Sequence, residues 1–84
     1  MSKQKVLEKA VSGSKNVDFK EMVGLIKAFG FRQSRVSGSH HIFVHSQVQE
    51  LVNIQNVRGK AKPYQIRQFL RLVKRYNLRM EDES

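Results

Sequence analysis

The chain has no cysteine and a single proline, and no apolar run in its 84 residues approaches the length of a membrane span. Without thiols there are no disulfide staples, no thiolate metal ligands and no pointer to an oxidising compartment. A bilayer-crossing helix needs about 20 consecutive apolar residues, and no signal-peptide core is visible either. The expectation is a cytoplasmic protein with no membrane partner. Acid is scarce too: seven Asp and Glu stand against sixteen Lys and Arg, for a net charge of +9. The imbalance is local. Residues 58–80 hold eight Lys and Arg and no acid, whereas 46–57 hold one Glu and no base. A basic excess concentrated in one segment points to a polyanionic partner, either nucleic acid or an acidic protein. Basic charge that only keeps a small protein in solution is the plainer alternative.

Eighty-four residues suffice for one domain with a single modest core. Residues 1–17 read as a partly ordered arm, since Lys5–Val11 offers only one or two helical turns before a Ser-Gly-Ser linker, and helices this short are marginal unless they dock. The domain proper spans 18–78. It opens on Asp18, a helix N-cap with Glu21 three residues on, the spacing of a capping box, and Val17 with Met22 placed as a hydrophobic staple. Phe19, Met22, Val23, Ile26 and Phe29 repeat at helical spacing, and Gly30 is placed to stop the helix. Gly24 weakens this helix and leaves room for a close neighbour.

Three strands follow: Phe31–Val36, with Arg32 and Arg35 on opposite faces; His40–His45; and Leu51–Val57. Short connections make them an antiparallel meander. A flexible basic loop carrying Arg58, Lys60 and Lys62 leads to Pro63, which suits a first helical position. The last helix, about Pro63 to Leu78, has Ile66, Phe69, Leu70, Val73 and Tyr76 on its apolar side. Arg67, Arg71, Lys74 and Arg75 form a basic stripe opposite. Residues 79–84 form an acidic tail. The fold class is α+β, ordered α-β-β-β-α, with two helices on one face of a three-stranded antiparallel sheet.

The candidate chemistry centres on Ser37-Gly38-Ser39-His40-His41-Ile42-Phe43. Strand parity sends His40, Ile42 and Val44 to one face and His41, Phe43 and His45 to the other, so the two adjacent histidines cannot share a site. Imidazole exchanges protons near neutral pH. Polar residues solvated at a strand end are the plainer reading of His-His. Spacings typical of metal ligation are missing, so neither a metal nor another cofactor is expected.

The helix, then Gly30-Phe31-Arg32, then Arg35-Val36-Ser37-Gly38-Ser39-His40-His41-Ile42-Phe43, resembles the HicA family of bacterial toxins over about Phe19 to Leu78. That resemblance implies a fold like double-stranded-RNA-binding domains and an mRNA interferase activity. It implies that His40, following Gly-Ser, is catalytic, and that a HicB-type antitoxin is the partner. Where the family usually carries a Pro-His-Pro-like segment, this chain has Asn53-Ile54-Gln55-Asn56. RNA cleavage through the 2′-hydroxyl needs a base, an acid and positive charge for the phosphorane. His40 could serve in proton transfer; Arg32, Arg35 or a loop lysine could supply charge. Arg58, Lys60, Lys62, Arg67, Arg71, Lys74 and Arg75 complete the expected RNA-binding set, the helical ones through phosphates. A non-catalytic RNA-binding module of the same fold, or a protein-interaction partner for an acidic protein, would account for the basic surface without His40.

Overall fold

The computed structural model describes residues 2–81. Asp18 starts α2 (Phe19–Ala28) as the sequence predicts: Glu21 Oε1 accepts the Asp18 amide at 3.1 Å, and the reciprocal half of the capping box is present. Val17 and Met22 are both fully buried. Gly30 follows the helix at φ +94°, and a Cβ there would stand 3.0 Å from His45 Nε2. Glycine is therefore favoured by conformation, and a side chain would also have to displace the tips of its neighbours.

Four strands form one antiparallel sheet in the order β1-β2-β3-β4: β1 (Arg32–Ser37), β2 (His40–His45), β3 (Val48–Val57) and β4 (Lys60–Ala61). The expected three strands become four because Arg58 and Gly59 both adopt positive φ, 53° and 82°, and close a tight hairpin where a flexible loop was expected. The Asn56 side-chain oxygen accepts the Gly59 amide at 2.8 Å and fixes that turn. β3 also begins three residues earlier than periodicity suggests, leaving Ser46 and Gln47 as the whole β2–β3 connection.

β1 holds a further departure. Arg32 pairs with Val44 and Gln33 with Phe43, but Arg35, not Ser34, pairs with Ile42. The extra residue is a β-bulge, which shifts the parity of everything after it. Arg32 and Arg35 consequently lie on the same face, against the expectation of opposite ones.

Phe43, Val48, Val52 and Ile54 present the sheet's core side. Against it pack α2 and α3 (Pro63–Arg75), with Ile66, Phe69 and Leu72 buried from the latter. Phe69 meets Phe29 and Phe31 edge-on, each with ring centroids 5.6 Å apart. Each such side chain, fully buried, contributes roughly 1.5–3 kcal/mol. α3 ends at Arg75 with Tyr76 as its C-cap, short of Leu78, and Asn77 beyond it takes a left-handed conformation.

Among the described residues the helices number three, since α1 (Lys3–Val11) docks against α2 and α3. Val6 and Ala10, four apart on one face, are 2% and 3% exposed within the common core. Lys9 Nζ reaches Glu21 at 3.3 Å. These contacts supply the docking that a nine-residue helix needs. In the expected acidic tail, the Glu81 amide bonds the Ala28 carbonyl, and residues 82–84 lie outside the described part.

Candidate functional site

The free face of the sheet is built by parity. Phe43 is buried and its neighbours Ile42 and Val44 are not, so His40, Ile42 and Val44 point away from the helices. The β1 bulge adds Arg32 beside Val44 and Arg35 beside Ile42; β3 adds Asn53 opposite Ile42 and Gln55 opposite His40. Gly38, at φ +61° with open space around it, makes the tight turn that begins β2 at His40.

His40 is half-buried, and its Nδ1 lies 3.2 Å from Asn53 Oδ1 and 3.0 Å from Asn53 Nδ2. Its Nε2 has no hydrogen-bond partner among the described residues. One ring edge is thus tied to β3 and the other is available for proton exchange. His41, one residue on, turns inward: its ring sits 4.6 Å from that of Phe19, and its Nδ1 is buried without a hydrogen-bond partner among the described residues. His45 is likewise inward, 5.0 Å from the Phe31 ring, and its Nδ1 accepts the Gln47 amide at 3.0 Å. The two adjacent histidines therefore separate as strand alternation requires.

The basic residues divide into groups. Arg32 and Arg35 share the face of His40. Arg58 sits at the β3–β4 turn, and Lys60 on β4 is engaged by Asp18 Oδ1 at 2.5 Å and Asn16 Oδ1 at 2.6 Å. The hydrogen bond and charge of Lys60 hold the Asp18 carboxyl below its ordinary 3.8. Lys62 caps α3 and stands 5.8 Å from the centre of the exposed Tyr64 ring. On α3, Arg67, Arg71 and Lys74 are exposed, on the side away from buried Gln65, Phe69 and Leu72. Arg75 pairs with Glu50 Oε2 at 2.7 Å, while the Tyr76 hydroxyl donates to Glu50 Oε1 at 2.6 Å. The Tyr76 hydrogen bond is the main reason Glu50 ionises below its ordinary 4.5, and the same bond raises Tyr76 above 10.0. The helical stripe and the His40 face look in different directions, so the structure does not merge all the expected residues into one patch.

Sequence reasoning missed Asn53 and the glutamine pair behind it. Gln65, 2% exposed, accepts the Gln55 amide at 2.7 Å and donates to Gln55 Oε1 at 3.0 Å. It satisfies a strand-edge amide that β4 is too short to reach, because Pro63 turns the chain into α3. Among the described residues no three His, Asp or Glu come together as a metal site, and no helix is long and apolar enough to cross a membrane.

The model of the family described as HicA toxin of bacterial toxin-antitoxin matches residues 19–74, about two thirds of the chain. The chain belongs to the HicA toxin family. No curated protein and no solved structure matches it. The matched segment runs from the first residue of α2 to one residue short of the end of α3, and so contains His40 and the entire sheet. α1 lies outside it. The α+β architecture is consistent with the fold of double-stranded-RNA-binding domains that the family implies, and membership gives the chain a toxin role with an antitoxin as its counterpart.

Proposed function

We propose that this HicA-family toxin is an mRNA interferase, a cytoplasmic endoribonuclease that cleaves RNA without a metal and uses His40 for proton transfer. The observation that carries this reading is the shared face: His40, with one ring nitrogen unpartnered among the described residues, lies on the same side of the sheet as Arg32 and Arg35, opposite the packed helices.

In the proposed reaction His40 Nε2 takes the proton of a ribose 2′-hydroxyl, whose oxygen attacks the adjacent phosphorus. The bond to the 5′-oxygen breaks, and that oxygen leaves with a proton returned from the imidazolium or from water. The products are a 2′,3′-cyclic phosphate and a 5′-hydroxyl end. Arg32 and Arg35 are suited to the negative charge that grows on the non-bridging phosphate oxygens. The remaining basic residues, Arg58, Lys60, Lys62, Arg67, Arg71, Lys74 and Arg75, offer sequence-independent phosphate contacts, with Lys60 and Arg75 the least free because each already holds a carboxylate. A HicB-type antitoxin would silence the enzyme by covering the His40 face, with complementary acidic charge speeding the encounter.

The test is cleavage of a defined RNA by purified wild type and His40→Ala in EDTA, with the ends of the products identified. Wild type should release cyclic phosphate ends, and the variant should lose at least about 100-fold in rate while keeping its fold and RNA affinity. Full activity in the variant would move the chemistry elsewhere. RNA binding without cleavage in wild type would favour a non-catalytic binding module.

A further inference from the structure

We infer that Asn53 is the positioning residue of the site: its side-chain oxygen holds the proton on His40 Nδ1, so that Nε2 is the atom that gains and loses protons. The inference rests on the ribonuclease reading and specifies which ring atom works and what selects it.

Asparagine is disfavoured within strands, and the free face of β3 would accept a β-branched residue more readily. Asn53 lies directly opposite Ile42, an apolar neighbour that offers it nothing. Its amide instead crosses diagonally to His40, where it makes a half-buried contact. Both amide atoms are within reach of Nδ1, so chemistry chooses between them. With Nδ2 turned to the ring, Nδ1 must be an acceptor; the neutral imidazole then carries its proton on Nε2 and cannot act there as a base. With Oδ1 turned to the ring, Nδ1–H donates in both the neutral and the protonated ring, and Nε2 cycles without any change at the amide. Only the second arrangement serves both halves of the proposed reaction. A neutral asparagine in this place fixes the tautomer without adding charge, as the asparagine of cysteine–histidine–asparagine proteases does.

The experiment uses the full chain and two readouts. The first is nitrogen NMR of the His40 ring without RNA; the second is kcat, KM and the pH–rate profile on a defined RNA. Wild type should carry the neutral-ring proton on Nδ1, and Asn53→Ala should lose that preference. In Asn53→Ala, kcat should fall about 10- to 100-fold with KM within about twofold, a smaller loss than that of His40→Ala. Asn53→Asp keeps the size and shape and adds a charge beside the ring, so the imidazolium persists and the acid limb of the profile moves up by about one pH unit or more. A wild-type ring protonated on Nε2, an unchanged kcat in Asn53→Ala, or an acid limb in Asn53→Asp at its wild-type position would each overturn the inference. Absence of cleavage by wild type would defeat the ribonuclease reading, and the ring NMR would still decide the role of Asn53.

Discussion

His41 buries a ring nitrogen that has no hydrogen-bond partner among the described residues, beneath the aromatic ring that opens α2. An unsatisfied buried polar atom costs about 1–3 kcal/mol, while the ring's contact with Phe19 works in the opposite direction. Replacing the imidazole with an apolar side chain of similar bulk removes the first effect and keeps most of the second. His41→Leu should therefore raise the unfolding free energy by about 1 kcal/mol, and His41→Ala should lower it by about 1–2 kcal/mol through the space left against Phe19. Urea denaturation of the two variants checks both signs, and two losses would show that the nitrogen is not a liability. At this scale alternation alone separated His40 from His41 in the sequence, because it needs no knowledge of pairing. Asn53 was out of reach because its meaning depends on register. Register in turn depends on an extra residue in β1 and an offset in β3 between the Phe43–Val52 and His45–Val48 pairs, neither of which has a signature in residue type.

Gly24 stands in the middle of α2, where a Cβ would meet Lys3 Cε at 3.3 Å and no backbone. Lys3 is exposed and its chain end can swing away. Gly24→Ala should consequently stabilise the protein by about 0.5–1 kcal/mol, the difference in helix propensity. A lower melting temperature would mean that the contact between α1 and α2 is tighter than this side chain suggests. α2 itself was legible from its capping box, its apolar spacing and its terminal glycine, since all three signals are local. β4 was not. Its turn places an arginine, Arg58, at φ 53° where Asn or Asp would announce a hairpin, and two paired residues are too few to show alternation. α1 was visible only as a marginal helix, because its order depends on burying Val6 and Ala10 against helices distant in sequence.

At the scale of the whole molecule, the Asp18–Lys60 and Glu50–Arg75 ion pairs join segments distant in sequence, and their carboxylates contribute to the pH dependence of stability. The Asp18 and Glu50 carboxyls ionise below 3.8 and 4.5, so each contributes stability above its ordinary value and loses it as pH falls through the lower folded one. The Tyr76 phenol ionises above 10.0, so its contribution is complete below that value and disappears as pH rises through the raised one. Melting temperature should therefore be level between about 4.5 and 10.0 in the contributions of these groups. Glu50→Gln should diminish both the acid and the alkaline fall, and Asp18→Asn only the acid one. Melts of the variants across both ranges check this, and an alkaline limb untouched by Glu50→Gln would remove Tyr76 from the account. The sheet also ends on β1, every residue of which is exposed. An open edge invites pairing with the edge of another molecule, and a flat one templates it. The single inserted residue between Gln33 and Arg35 makes this edge twisted and irregular, and two arginines on one side make it repel its own copy. The insertion that puts Arg35 on the same face as His40 thus also disfavours edge-to-edge assembly of a small basic protein whose sheet edge is in the open.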